Sequence, residues 1–463
     1  MSFIKIQKNK AEKPKKKGIR RIWKILLLFL LVAGVVGISF TSYVLSSGSK
    51  VFETGLSGGA ELIKTIYGEK QKLKGEESDR VNVLLMGMGG AKHPGGLLTD
   101  SIMLLSIKPS QNKMALISVP RDLLVKIPDE GDAKINSGLA SGYNRYLSKN
   151  CSKKSTDSCR DEALIAGAKK EVSLVSTVLD TPIDYYVLVE FTSFEKIIDQ
   201  LGGIDVYVDK TLYDPYYPDK KMEGYEPFQI KEGQRHLDGA TALKYARSRE
   251  TTSDFDRAAR QQKILQAVKD KALQAGVLAN PKKVLDLVGT LGSSIRTNFT
   301  PAELPAFGEM IKPISRDNIY SKVFSTASGG ELENYNNGLY YLRPKNGDYE
   351  RIHAVVDNIF NDQYLFREEA KIEIQNAAKV NKTSINTLSK RLRDVYGYEI
   401  TKVVTSKTSS DKTTIYDYTG GAKKNSIGFL AKLLDAEIVE KTKEKGITTD
   451  FTIVLGSDYI TLK

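Results

Sequence analysis

Apolar and polar positions divide the chain into one unbroken apolar run, a long mixed region and a shorter repeat of the same mixture. Residues 25–45 hold 21 positions without a charge. At about 1.5 Å of rise per helical residue that is enough to cross a hydrocarbon core of about 30 Å. After a polar stretch at 46–79, residues 81–86 form an apolar run expected as a buried strand, followed by glycines at 87, 89, 90, 95 and 96. Residues 102–107 and 114–119, joined by a KPSQNK turn, read as adjacent strands, and 185–190 as another. Phe194, Ile197, Ile198 and Leu201 recur at helical spacing and stop at Gly202-Gly203, which predicts a helix over 191–201. Alternation returns over 204–208, and 254–273 predicts a second long helix.

Strands and helices thus mix through about residue 355, the pattern of an α/β or α+β domain with a mixed sheet between helices, in three layers. The pattern restarts beyond a polar stretch at 356–370. Strands are expected at 372–374, 400–404, 415–418 and 451–455, with helices near 384–395 and 427–434. The 418 residues beyond position 45 exceed what one core usually supports, so two domains are expected, 80–355 and a small α/β module over 371–463. The module carries no cluster of candidate catalytic groups, and binding or spacing is its expected job.

Charge gives the chain a direction. The net charge is +13, and residues 1–24, with ten Lys/Arg and one Glu, carry +9 of it, leaving +4 beyond the apolar run. The positive-inside rule puts the 1–24 tail in the cytoplasm and 46–463 outside, with 25–45 as an uncleaved signal anchor. A cleavable signal peptide would have an apolar core of only about 7–15 residues. Lys15, Lys16, Lys17, Arg20 and Arg21 are expected to contact anionic membrane lipid. A nucleic-acid binder needs its positive charge on the folded domain, so nucleic acid is excluded as a partner. Cys151 and Cys159, the two cysteines, close a polar loop and are expected to form a disulfide pinning a surface excursion. His93, His236 and His353 are too scattered to make a zinc site with them.

Candidate chemistry concentrates at 240–262, ATALKYARSRETTSDFDRAARQQ, where Arg247, Arg249, Arg257 and Arg260 stand beside Asp254, Asp256 and Gln261. Pro120-Arg121-Asp122 adds an arginine at the end of an apolar run. Guanidinium groups are always charged and present a rigid fork of donors that suits phosphate. One exposed Arg–Asp pair near a helix start is worth about 0–1 kcal/mol as a cap or ion pair, so the clustering carries the functional reading. Together with the anchor it points to a phosphorylated substrate at a membrane surface. Arg247 and Arg249 share a face if their segment is extended, and Arg257, Arg260 and Gln261 share a helix face. The glycines at 87–96 lack a Gly-Lys-Ser/Thr ending, which excludes a nucleotide loop.

The runs TDSIM (99–103), ISVPRD (117–122), KIN (134–136), IDYYVLVEFTSFEKIIDQLGGIDVYV (183–208) and GQRHLDGATALKYARSRETTSDFDRAARQQ (233–262) resemble the LytR–CpsA–Psr family, in family order over about residues 80–275. The final module resembles the LytR C-terminal domain. The resemblance implies a membrane-anchored extracytoplasmic phosphotransferase. Such an enzyme moves a glycopolymer from a polyprenyl-diphosphate carrier to a peptidoglycan hydroxyl, using magnesium or manganese. On that reading Arg121, Arg247 and Arg249 clamp the diphosphate, with Arg257, Arg260, Gln261, Lys134 and Asn136 as further substrate contacts. Asp100 is the metal candidate, since magnesium takes one or two carboxylates plus phosphate oxygens. Asp254 and Asp256 are the candidate bases for the acceptor hydroxyl. Segments 102–105, 185–189 and 264–278 have the apolar side chains to line a lipid groove, or an ordinary core.

One departure from the family pattern concerns the metal. The family's first strand usually ends in a glycine followed closely by an aspartate, and 84–90 here reads LLMGMGG. Asp100 then holds the metal with phosphate and water, another carboxylate substitutes, or the metal binds weakly. A diphosphate-ester hydrolase and a non-catalytic binder of lipid-linked polymer remain as alternatives to the transferase.

Overall fold

The computed structural model describes residues 71–90, 95–151, 156–219, 223–249, 253–277, 283, 294–327, 330–360, 368, 370–396, 398–444 and 446–459. The basic tail, the apolar run 25–45 and the polar residues 46–70 lie outside these. Among the described residues no helix is long and apolar enough to cross a membrane.

The chain begins with β1 (Val81–Met88), β2 (Thr99–Lys108) and β3 (Lys113–Ser118), followed by the small hairpin β4 (Leu124–Ile127) and β5 (Gly131–Lys134). Two helices come next, α1 (Gly138–Asn150) and α2 (Asp157–Leu179), then β6 (Tyr185–Glu190) and α3 (Phe191–Gln200). The segment β7 (Ile204–Val208), β8 (Leu212–Pro218), β9 (Tyr225–Ile230) and β10 (Gly233–Leu237) leads into α4 (Gly239–Arg247) and α5 (Asp254–Gln274). After β11 (Ile295–Thr297), α6 (Glu303–Ile311), β12 (Ile319–Val323), β13 (Leu332–Asn336) and β14 (Tyr340–Pro344), the helix α7 (Glu350–Asn358) closes the region.

A mixed six-stranded sheet, ordered β11-β6-β1-β2-β3-β12, organises this part. Alternation along each strand splits its side chains between two cores. Leu84, Met86, Ile102, Leu104, Ile117 and Leu188 pack with α1, α2 and α7 on one face. Val83, Leu105, Leu116 and Tyr185 pack with α6 on the other, where Leu265 of α5 joins them. A third core holds α3, α4 and α5 against β7–β10 through Ile198, Val206, Phe228, Leu237 and Ile264. Gln262 locks α5 to the sheet, its amide nitrogen lying 2.8–3.1 Å from Leu116 O, Ser118 Oγ and Lys322 O.

The expected strands and the helices at 191–201 and 254–273 stand where the periodicity put them. The expected disulfide is present. Cys151 follows the last turn of α1, Cys159 sits in the first turn of α2, and their Cα atoms are 6.1 Å apart. The bridge therefore closes the connection between the two arms of a helical hairpin. That hairpin is tight because glycine faces glycine: a Cβ at Gly142 would lie 2.8 Å from Gly167 Cα.

The domain edges also differ from expectation. Leu73 packs into the core beneath Val81, and Lys74 N donates to Tyr185 Oη at 2.8 Å, so structure begins before residue 80. At the other end α7 runs through position 355, with Ile352, Val355 and Val356 in the main core and Ala354 against the following one. That following unit comprises β15 (Lys371–Asn376), α8 (Lys382–Lys390), β16 (Glu399–Thr405), β17 (Thr414–Asp417), α9 (Lys424–Leu434), β18 (Glu437–Glu440) and β19 (Phe451–Leu455). Its sheet is ordered β16-β15-β19-β17-β18, over a core of Ile372, Ile374, Leu392, Ile415, Leu430 and Phe451.

Candidate active site

The start of β2, the turn after β3 at Arg121, the start of α3, β8, the last turn of α4 and the first two turns of α5 meet around one cleft of about 300 Å³. Asp100, Arg121, Arg247, Arg249, Arg257 and Gln261 line it, joined by Phe191, Asp214, Tyr216 and Tyr217. Asp254 and Asp122 line a smaller recess that shares Asp100, Arg121, Arg257 and Gln261 with the cleft.

The backbone between α4 and α5 is held so that successive arginines face inward. Helix α4 ends at Arg247, and Ser248 is extended, with ψ 140°. The buried Asp214 carboxylate accepts from Ser248 Oγ at 2.7 Å and Arg249 N at 3.1 Å. Arg260 donates to Tyr245 O at 2.9 Å and to Ser248 O from beneath. Arg260 is thus buried under α4 and supports the turn; it does not line the cleft, although Arg257 and Gln261 on the same helix do. Asp256 is likewise outside the cleft. With Ser253 it forms the capping box of α5, accepting from Ser253 N at 2.9 Å, and its carboxyl is held below the usual range by the Ser253 hydroxyl and backbone.

Each cleft arginine has its own setting. The Arg247 guanidinium lies 4.4 Å from the Phe191 ring centroid and 5.7 Å from that of Tyr217, whose hydroxyl it approaches at 3.4 Å. Arg249 forks onto Asp254 with contacts of 2.9–3.1 Å, and Arg257 reaches the same carboxylate at 3.0 Å. Arg121 donates to Asp100 Oδ1 at 2.5 Å. Burial raises the Asp254 carboxyl, but Arg257, Arg249 and Arg121 outweigh it and hold the group below the ordinary carboxylate value. Burial lowers Arg257 to about 10, with Asp254 opposing, so it stays charged at neutral pH. The cleft lining thus carries four guanidinium groups against the carboxylates of Asp100 and Asp214, with Asp254 paired to Arg249 and Arg257 in the recess beside it, a setting that suits an anion.

The two residues taken from the KIN motif lie behind this wall. Lys134 pairs with Asp122 at 2.6 Å, and its ammonium lies 5.9 Å from the rings of both Tyr340 and Tyr341. Asn136 is buried and engaged through its backbone, its N–H donating to Arg121 O at 3.3 Å. Neither lines the cleft. Phe191, Tyr217 and Asp214 were not singled out from the sequence, although the DPYYP run at 214–218 is unusually rich in proline and tyrosine; it lies in β8, whose pairing is irregular between Asp214 and Tyr217.

An apolar channel opens from the cleft. A cavity of about 260 Å³ shares Ser101, Phe191, Arg247 and Gln261 with it. A further cavity of about 180 Å³ shares Leu85, Val187, Leu265 and Val268 with the first. Of the expected lining, 102–105 contributes only Met103 and Leu105, since strand alternation turns Ile102 and Leu104 to the opposite core. Segment 264–278 contributes Ile264, Leu265, Val268 and Ala272.

Among the described residues no group of three or more His, Cys, Asp or Glu could hold a metal ion. Magnesium bound through one carboxylate and substrate phosphate oxygens asks for less, and Asp100, partly exposed at the cleft wall, fits that donor set. At Gly90, where φ is 85°, a Cβ would lie 2.6 Å from Glu190 Oε2. Glu190 does not line the cleft.

The chain is 26% identical over 298 residues to the polyisoprenyl-teichoic acid–peptidoglycan teichoic acid transferase TagT of Bacillus subtilis strain 168, covering 64% of this chain and 81% of TagT. It is 28% identical over 351 residues to TagV of the same organism, a transferase of the same description, covering 73% and 78%. The crystal structure of B. subtilis TagV aligns with a TM-score of 0.46 at 24% identity, over 61% of this chain and 97% of that one. The LytR_cpsA_psr family model matches residues 51–358, two thirds of the sequence, and the chain belongs to that family.

Proposed function

We propose that this protein transfers a glycopolymer, as its glycosyl phosphate, from a polyprenyl diphosphate to a hydroxyl of peptidoglycan. The observation that carries the reading is the continuity of an arginine-walled cleft with an apolar channel, since Arg247 and Phe191 line both. A diphosphate head joined to an isoprenoid tail has that division of polarity. The curated relatives, named as polyisoprenyl-teichoic acid–peptidoglycan teichoic acid transferases, support the same substrate class.

In the reaction the acceptor oxygen attacks the phosphorus that carries the sugar. The bond from that phosphorus to the bridging oxygen breaks, polyprenyl phosphate leaves, and the acceptor's proton is released. Catalysis then depends on in-line positioning and on neutralising charge at the phosphoryl oxygens. Arg247 is pre-oriented by its stack on Phe191, and Arg121, Arg249 and Arg257 converge from other elements. Asp254 is a weak base in the field of three arginines, which suits a role in orienting Arg249 and Arg257. Asp100 would hold a magnesium ion, which when bound supplies further charge neutralisation for the diphosphate. Residues 25–45 read as the anchor that keeps the cleft near the carrier's membrane.

The full-length protein in detergent, given a synthetic polyprenyl-diphosphate glycan and peptidoglycan fragments, is expected to yield peptidoglycan-linked glycan and polyprenyl phosphate together. Release of polyprenyl phosphate that is equally fast without peptidoglycan would make it a hydrolase. Binding without release would make it a carrier-binding protein.

A further inference from the structure

Glu171, on the inner side of α2, is completely buried, yet it lines no part of the cleft. Its Oε2 accepts the Leu139 N–H at 2.8 Å, at the start of α1. Its Oε1 lies 2.9 Å from Thr99 Oγ1, and that hydroxyl is 3.3 Å from Asn136 O. Thr99 immediately precedes Asp100, and the Asn136 N–H donates to Arg121 O. One carboxyl group thus holds the segment that carries Asp100 and, through Thr99 and Asn136, reaches the backbone of Arg121. The sequence makes room for it with Gly138, where a Cβ would overlap Oε2 and Leu174.

The proton count says which form of Glu171 does this. A threonine hydroxyl has a single proton to donate, and two acceptor oxygens stand within reach of Thr99 Oγ1. Both contacts are hydrogen bonds at once only if Glu171 Oε1 carries a proton, donates it to Thr99 Oγ1, and leaves the hydroxyl free to donate to Asn136 O. Burial points the same way, pushing the carboxyl up to about 8 even with the Leu139 N–H on its other oxygen. No charged group from α1, the 135–137 turn or β2 contributes to that balance.

We propose that Glu171 is a positioning residue for the transfer reaction, a buried neutral hydrogen-bond donor that aligns the Thr99–Asp100 and Asn136 backbones and through them the Asp100–Arg121 pair. The positioning role rests on the transferase reading; the protonation of Glu171 does not. The sign for stability follows: the folded value of about 8 lies above the ordinary 4.5. The neutral form's contribution is complete below 4.5 and is lost as pH rises through about 8.

Glu171→Gln presents an N–H to Thr99 and a carbonyl to Leu139, reproducing the neutral acid without its titration. It is expected to keep turnover within about threefold of wild type at neutral pH and to remove an alkaline loss of kcat seen in the wild type, whereas Glu171→Ala and Thr99→Val lower kcat about tenfold or more. If Glu171→Ala does not fold, Thr99→Val and Glu171→Gln carry the comparison. Infrared difference spectra of the full-length protein give a readout independent of transfer: a protonated-carboxyl band at neutral pH in the wild type, missing from Glu171→Gln. The proposal is overturned if that band is absent from the wild type, if Glu171→Gln is as impaired as Glu171→Ala, if its pH profile overlays the wild type's, or if Thr99→Val is unaffected. A wild type with the band but no transfer activity would overturn the transferase reading alone.

Discussion

Replacing Arg247 by lysine keeps one positive charge in the cleft and removes the planar fork. The structure shows what that plane does: it stacks on Phe191 at 4.4 Å and leans toward Tyr217 at 5.7 Å. A stacked, partly desolvated guanidinium gains about 0.5–2 kcal/mol from such rings. The second hydrogen bond of a bidentate contact to a phosphate, lost with an ammonium, adds about 1.5–3 kcal/mol. Together the loss is about 2–5 kcal/mol in the transition state, a fall in kcat/KM between about 30-fold and about 5,000-fold. The measurement is initial rates of polyprenyl phosphate release with peptidoglycan acceptor present, over a range of donor concentrations. Phe191→Leu isolates the stacking part and should cost about 2-fold to about 30-fold. Should Arg247→Lys turn over within about threefold of the wild type, the clamp assignment is wrong, since charge alone would suffice.

Asp100→Asn should shift the magnesium titration so that more metal is needed for half-maximal activity; an unchanged curve would move the cation elsewhere. Leu265→Trp, at a wall shared by both apolar cavities, should raise KM for long-chain polyprenyl donors much more than for short-chain ones, and equal effects on both would refute the lipid channel. The Cys151–Cys159 bridge closes a loop of sequence separation 8. Serine at both positions should lower stability by about 2–3 kcal/mol and the melting temperature with it, a shift absent only if the helical hairpin needs no staple.

How much of this was legible in the chain follows from the range of the interactions involved. The strands at 81–86, 102–107, 114–119 and 185–190 and the helix 254–273 announce themselves because burial on one face writes a period into the sequence. Helices α1 and α2 carry a weaker signal: their contact is made by Gly142 and Gly167, whose value is the missing Cβ, and no hydrophobic stripe records that. Arg257 and Gln261 could be assigned to one helix face from spacing alone, and both reach the cleft. Arg260, one position before Gln261, could not be separated from them, because its burial under Tyr245 O and Ser248 O depends on where α4 docks.

The sequence by itself determined the charge on which the proposed anionic ligand rests: guanidinium groups are charged whatever the fold, and their clustering within a few turns is a local fact. Only the tertiary structure decided the geometry. It brought Asp100 and Arg121 to the 240–262 cluster, assigned Asp256 to a helix cap, and opened the arginine cleft onto an apolar channel. It also set a buried acid on α2 behind the residue that precedes Asp100. Those relations join positions tens to hundreds of residues apart through packing and hydrogen bonds, which leave no period or motif in the sequence.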